Sequence, residues 1–148
     1  MNRAVIHIDY RKEWEIPQDL FDQWNEEFQF TLDAASLPHN AKCRKFYTPK
    51  DDGLAQPWAP HTVWCNPPYG RGVAKWLEKG IEEAKQGATV VFFLPANTDP
   101  GWFHDLVLPH AEIRFLRGRV KMIPPQGKIH RQDRPSNGSM LAIYRPSE

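Results

Sequence analysis

Asn66, Pro67, Pro68 and Tyr69 lie within the stretch V-W-C-N-P-P-Y-G, Val63 to Gly70. The two prolines fix two φ angles and remove two backbone donors. They also force Asn66 into an extended conformation. The product is a stiff peptide that presents carbonyl oxygens and a side-chain amide with little entropy left to lose. Asn66 offers one side-chain acceptor and two donors, and the Pro67 carbonyl offers a further acceptor. An amino group with two N–H donors satisfies both acceptors. Tyr69 then stands beside it as a flat ring, and stacking on a base is worth ~1–3 kcal/mol. The stretch reads as a clamp for a planar heterocycle bearing an exocyclic amine. The competing reading is a tight strand-to-helix turn in which Asn66 caps the helix and Tyr69 packs.

A clamp needs elements to hold it. Thr62 to Cys65 predicts a buried strand and Val73 to Lys85 a helix, with Val73, Trp76, Leu77, Ile81 and Ala84 as its buried stripe and Gly87 as its stop. Ala88 to Leu94 is a nearly continuous apolar run, as in a central parallel strand covered on both faces. Pro17 to Phe28 predicts a helix that starts at Pro17, with Leu20, Phe21, Trp24 and Phe28 on one face and an acidic opposite face that should not meet phosphate. Phe28 to Leu32 predicts a short strand ending in Asp33. Residues 36–47 read as a loop closing in a short strand, and Thr48 to Leu54 as a turn. Asp99 to Leu108 predicts a short helix, and Ile113 to Leu116 and Ser139 to Tyr144 predict strands. Residues 1–15 fit either a short strand or an unpacked segment.

Strands alternating with helices imply an α/β fold with a parallel or mixed sheet. Ligands in such sheets bind at the carboxyl ends of the strands. Asp33, Asn66 and Pro95 all fall at predicted carboxyl ends, which is the first structural pointer to a site.

The 148 residues predict a single domain, 1–148, large enough to bury a core without disulfides, with six tryptophans as anchors. The net charge of +1 excludes a chain that seeks polyanions as a whole, though not a local basic patch. Cys43 and Cys65 form no C-x-x-C pair and have no histidine at ligand spacing, which argues against a metal site. They fit a reduced, intracellular protein. The amino terminus has no signal-peptide pattern, and no apolar run approaches the ~20 residues of a membrane span. The scattered histidines show no metal spacing on a helix; His104 is expected to pack or cap its helix, and Trp76, Trp102 and Phe103 to lie in the core.

Positive charge is local. Arg114, Arg117, Arg119, Lys121, Lys128, Arg131 and Arg134 face one acid, Asp133. Residues 117–138 therefore read as a long, basic, mobile loop, with Arg117, Arg119, Lys121, Lys128 and Arg131 as candidate nucleic-acid contacts. Arg119 leads because Gly118 lets the backbone come close. The bland alternative is a solvated charged loop.

N-P-P-Y resembles the catalytic motif of amino-methyltransferases that use S-adenosylmethionine. The wider chain resembles the compact phage-type DNA N6-adenine methyltransferases (the phage Dam-like family). The stretches that carry this are W-E-I-P-Q-D-L-F (14–21), F-T-L-D-A-A-S (30–36), N-A-K-C with F-Y-T-P (40–49), D-D-G-L-A-Q-P-W (51–58), V-W-C-N-P-P-Y-G (63–70), V-V-F-F-L-P-A-N-T-D (90–99) and R-F-L-R-G-R-V-K (114–121). The resemblance implies a compact Rossmann-like S-adenosylmethionine-dependent methyltransferase sheet with flanking helices. It implies Asn66, Pro67, Pro68 and Tyr69 as catalytic residues, with adenine flipped out of DNA. It also implies cofactor contacts from Trp14, Pro17, Asp33, Ala34, Ala35 and Asp52. Asp33 would accept from the methionine ammonium or, through water, from nearby groups, and the two alanines would let the cofactor approach the backbone. Asp52 would accept from the cofactor's adenine amine or fix its loop. Asp33 and Asp52 read equally as turn residues. A phage or prophage enzyme of this kind would work in the host cytoplasm.

Two departures from the family pattern stand out. The chain has no glycine before Gly53, so D-A-A-S replaces the glycine-rich loop of many methyltransferases. This implies a shallow pocket or one completed by the amino-terminal segment. Ile16 stands where the family often has a small hydroxyl residue. Two other functions compete: methyl transfer to RNA or to a glutamine side chain, for which the basic loop is the discriminant against glutamine, and a catalytically weak DNA-binding module, against which the intact Asn66–Tyr69 stretch argues.

Overall fold

A computed structural model describes residues 15–68, 70, 72–123 and 137–147. Helix α1 (Gln18–Phe28) leads into a two-residue strand β1 (Leu32–Asp33). After a 3-10 turn at Gly53–Ala55 come β2 (Thr62–Cys65), α2 (Val73–Lys85) and β3 (Thr89–Pro95). A π-type turn at Phe103–Val107 precedes β4 (Glu112–Phe115) and β5 (Ser139–Tyr144). The five strands form one mixed sheet in the order β1-β2-β3-β5-β4. β1, β2 and β3 run parallel, and β5 is antiparallel to both of its neighbours.

Side-chain alternation along β3 divides the core between two faces. Val90, Phe92 and Leu94 point to the side of α2, with Trp58, Trp76, Leu77 and Phe103. Val91 and Phe93 point to the side of α1, with Phe21, Trp64 and Ile16. Burial on both faces explains the continuous apolar run from Ala88 to Leu94 and makes this the central strand, as its composition predicts.

β2, α2 and β5 keep their predicted bounds. Gly87, with φ of 113°, ends α2 in the left-handed region that glycine tolerates. The stripe on α2 also holds Gly80 and Glu83, while Ile81 is only half-buried. Four expectations need correction. Pro17 is not the first helical residue; it precedes α1 with extended ψ, and its carbonyl receives the Phe21 N–H at 3.1 Å. The strand read from Phe28 to Leu32 fails at its start, because α1 continues through Phe28 and closes on Gln29 in the left-handed region. Aromatic packing wins there: Phe28 stacks on Phe30, which packs against Phe21 and Trp64. The helix expected from Asp99 to Leu108 is confined to residues 101–107. Finally, 117–123 is no free loop. Val120 and Met122 are buried in the α1-side core, and Glu15 and Ile123 exchange two backbone hydrogen bonds at 3.0 and 2.9 Å. Residues 124–136 lie outside the described residues.

Glu83 locks α2 to the β2 side of the molecule. Its Oε1 accepts the N–H groups of Trp58 and Ala59 at 2.7 and 2.8 Å, and its Oε2 pairs with Lys79 at 3.1 Å. Burial works to raise this carboxyl, but the Ala59 and Trp58 amides and Lys79 hold it below the usual range. Trp58, fully buried, donates from Nε1 to the Gly53 carbonyl at 2.9 Å. Gly53 in turn packs so closely on β1's end that a Cβ there would sit 2.4 Å from the Ala34 oxygen.

Gly80 separates packing from helix propensity. Alanine in a helix interior is favoured over glycine by ~1 kcal/mol. Yet a Cβ at Gly80 would lie 2.5 Å from Phe92 Cε2, inside a filled core, and overpacking costs roughly 1–3 kcal/mol. Gly80→Ala is expected to lower the midpoint of thermal or urea unfolding; a raised midpoint would mean that Phe92 repacks freely.

Candidate active site

Parallel pairing brings the ends of β1 and β2 together. Leu32 is in register with Val63 and Asp33 with Trp64, and Ala34 N–H continues the ladder to the Trp64 carbonyl at 3.0 Å. Asp33 and Asn66 therefore arrive from two distant motifs at one edge of the sheet. Both line one cavity, with Glu15, Ile16, Ala35, Ser36, Asn40, Lys42 and Trp64. Its empty space, open mouth included, is about 260 Å³. Asn66 is half-buried, and Pro67 and Pro68 are buried.

Asp33 is 2 % exposed. Its Oδ1 accepts the Ala35 N–H at 3.2 Å and its Oδ2 accepts the Lys42 N–H at 2.9 Å. Burial pushes its carboxyl up to about 6, against the opposing pull of those two amides, the Lys42 charge and the neighbouring Ser36 hydroxyl. Ser36 is 5 % exposed, and among the described residues its Oγ makes no hydrogen bond of ordinary geometry. Asp33 thus acts as the turn residue that the bland reading expects, folding 34–42 back on itself. Its oxygens still have acceptor capacity, because a carboxylate offers about four lone-pair sites.

Lys42 is the cavity residue that sequence reasoning missed. Its side chain is 6 % exposed, and its Nζ lies 3.2 Å from Gln18 Oε1 and 3.9 Å from Glu15 Oε2. Burial lowers its basicity, and the charges of Glu15, Asp33 and Asp22 oppose that. In sequence it is an ordinary lysine of a polar loop; only N-A-K-C as a family stretch marked the neighbourhood. Asn40, whose Oδ1 caps the Leu37 N–H at 2.8 Å, was likewise invisible as a lining residue. Cys43, beside this loop, has its thiol pushed up to about 12 by burial and by the Asp33 charge, so it is no nucleophile.

The other predicted residues are placed as follows. Ala34 is buried and Ala35 lines the cavity. Asp52 is exposed, has φ of 57° and does not line the cavity; its carbonyl receives the Ala55 N–H. Its geometry is that of a turn residue which lets Gly53 pack under Ala34. Pro17 is half-buried and also outside the lining. His104 bonds to the Thr98 carbonyl at 2.7 Å and sets its ring edge-on to Phe103, a packing role as expected. Trp14, Tyr69, Lys128 and Arg131 lie outside the described residues. Among the described residues no group of His, Cys, Asp and Glu has metal-binding geometry, and no helix is long and apolar enough to cross a membrane.

Arg117, Arg119 and Lys121 are exposed. Phe115 is in register with Met140, and Pro95 with Ser139, so β4 ends at the edge where β1, β2 and β3 end. The three basic residues leave the sheet there, preceded by Phe115, which is 61 % exposed. The bridge between Ile123 and Glu15 then returns the segment to the rim of the cavity.

Residues 4–148 match the DNA N-6-adenine-methyltransferase (Dam) family, and the chain belongs to that family. It is 26 % identical over 136 residues to a DNA N-6-adenine-methyltransferase of Haemophilus phage HP1, covering 90 % of this chain and 78 % of that protein. It is 30 % identical over 105 residues to a DNA N-6-adenine-methyltransferase of Escherichia phage T1, covering 70 % of this chain but only 44 % of the longer relative.

The raised Asp33 carboxyl has a consequence for stability. The folded chain holds this proton more tightly than the unfolded one, whose carboxyl sits near 3.8. Ionisation therefore opposes folding: this group's contribution is greatest below about pH 4, falls through pH 6 and is flat above it. A shift of this size corresponds to roughly 3 kcal/mol. Denaturation across pH 4–7 is expected to show wild type losing stability relative to Asp33→Asn between pH 4 and 6. A difference independent of pH would mean that Asp33 titrates normally.

Proposed function

From membership of that family, we propose that this chain transfers a methyl group from S-adenosylmethionine to the exocyclic amine of adenine in DNA. The observation that carries the reading is the shared cavity of Asp33 and Asn66 at the carboxyl ends of β1 and β2. Open α/β sheets bind ligands at that edge, which supports a Rossmann-like methyltransferase sheet. The single-domain reading of 1–148 accords with one continuous five-stranded sheet.

The residues present fit one end of the cofactor. A buried carboxylate, a buried hydroxyl and a lysine side chain at 6 % exposure suit a charged amino acid. When bound, S-adenosylmethionine supplies an electrophilic methyl group and leaves as a neutral thioether.

Everything else falls to the protein. The adenine amine is a poor nucleophile because its lone pair is delocalised into the ring. The Asn66 side-chain oxygen and the Pro67 carbonyl accept its two hydrogens and favour a tetrahedral nitrogen. That nitrogen's lone pair would then be free for the methyl group that the cofactor would supply. The methylated ammonium then loses a proton to water, so no strong base is required. Positioning and electrostatics supply the rate. The base must first leave the duplex, at a cost of a few kcal/mol. Tyr69 is assigned the stacking that offsets part of that cost. Arg117, Arg119 and Lys121 line the approach as phosphate contacts, joined by Lys128 and Arg131 on the sequence pattern alone.

Tritiated methyl transfer to unmethylated DNA, with the product nucleosides separated, tests the reading. Wild type is expected to yield N6-methyladenine. Asn66→Ala is expected to keep its unfolding midpoint and lose on the order of 10²-fold or more in rate, the scale of removing one electrostatic stabiliser. A fully active Asn66→Ala, or label in no DNA base, would overturn the mechanism.

A further inference from the structure

The chain beyond β4 faces two ways. Leu116 donates to the Ser139 carbonyl at 2.9 Å, and Gly118, with φ of 74°, then turns the backbone away from the sheet. Residues 119–123 alternate: Arg119, Lys121 and Ile123 are exposed, Val120 and Met122 buried. The two buried side chains share the α1-side core with Ile16. The segment ends in an antiparallel bridge to Glu15. The Ile123 N–H donates to the Glu15 carbonyl at 2.9 Å, and the Glu15 N–H to the Ile123 carbonyl at 3.0 Å. Glu15 and Ile16 are walls of the cavity, and the Glu15 carboxylate lies 3.9 Å from Lys42 Nζ. One short strap thus carries cations on its outer face and holds the cavity wall from its inner one. Its grip is shallow: Val120 and Met122 keep 9 and 8 % exposure, and Ile123, at 42 %, adds little burial of its own.

We propose that residues 119–123 are a strap whose docking couples DNA to the methyl donor. Docked, it sets both the row of cations that meets phosphate and the wall of the cavity that receives the donor. This rests on the reading of the cavity as the donor's site and of Arg119 and Lys121 as phosphate contacts, and adds how each controls the other. Both ligands favour the docked strap, so each raises the apparent affinity of the other. A ligand that requires the docked strap has its dissociation constant divided by the docked fraction. Loosening the strap at a residue that touches neither ligand therefore weakens both by one factor. Either ligand at saturation restores the affinity of the other. For the enzyme this means that a donor-loaded protein holds DNA longer than an empty one.

Calorimetric titration of the full chain with S-adenosylhomocysteine and with a duplex of G·C pairs alone tests this. That duplex offers phosphates, which bind without regard to sequence, and has no adenine to touch the bound nucleoside. Ile123→Pro removes the donor to Glu15, a loss of roughly 2–10-fold in docking, and Met122→Ala removes an anchor as well. The double variant is expected to bind each ligand alone on the order of 10-fold more weakly, by the same factor for both. With either ligand saturating, it should regain wild-type affinity for the other. Unchanged affinities, unequal losses, or losses that the second ligand fails to restore would overturn the coupling and leave the methyltransferase reading standing. Amide exchange of the wild type keeps the test open if the double variant does not fold. S-Adenosylhomocysteine alone should slow exchange from Val120 to Ile123, and the duplex alone at Glu15 and Ile16, with the last turn of α2 as an unchanged reference. Exchange that responds to neither ligand would overturn the strap. A wild type that binds neither ligand would overturn the methyltransferase reading, and the strap with it.

Discussion

A carboxylate kept out of water at the end of β1 organises this molecule. Asp33 receives the amides of Ala35 and Lys42 through its side chain. Its backbone takes part as well: its N–H donates to the Lys45 carbonyl and its carbonyl accepts from Tyr47, each at 3.0 Å. Residues 34–47 are thereby folded into a loop that returns to β1, and the small residues Ala34, Ala35 and Ser36 are left beside the cavity. The cost is an ionisable group in a place that disfavours its charge. Where a glycine-rich loop would turn on backbone flexibility, this chain turns on one buried acid and small side chains.

Around that acid, a relay of close contacts extends across the α2 side. Glu83 on α2 holds the amides of Trp58 and Ala59, Trp58 holds the Gly53 carbonyl, and Gly53 lies against Ala34. The family stretch that contains Asp52 therefore supports the site through packing, since Asp52 itself is exposed. On the α1 side, Ile16 is buried and lines the cavity. Its contribution is apolar, sealing the α1-side core beneath the site. The return of Ile123 to Glu15 places the basic segment at the rim, so the proposed path of DNA and the cavity share one edge.

The sheet's central elements were legible because their signals are local. The run Ala88 to Leu94, the periodic stripe of α2 and the short apolar Ser139 to Tyr144 each report burial within a few residues. The convergence of Asp33 and Asn66 was legible too, since it follows from parallel strands alone. What the sequence concealed depends on distant partners. Phe28 to Leu32 alternates like a strand, but ring stacking on Phe30, which itself packs against Trp64, keeps Phe28 in the helix. Glu83 looks like one more charged residue on a solvated helix face, and only the approach of Trp58 makes it a buried anchor. Lys42 and Ser36 have no periodicity to betray them; they face the cavity because Asp33 folds the loop. Val120 and Met122 alternate within a basic run whose charge masked the pattern.

The central claim is that one cavity, between the ends of β1 and β2, receives the methyl donor. The most direct measurement is the amide spectrum of isotopically labelled protein during titration with S-adenosylhomocysteine. The largest shifts should fall on the residues around Asp33 to Lys42 and on Trp64 to Asn66, with the far end of β4 and β5 unmoved. Shifts centred elsewhere on the sheet, or none at saturating ligand, would contradict the account.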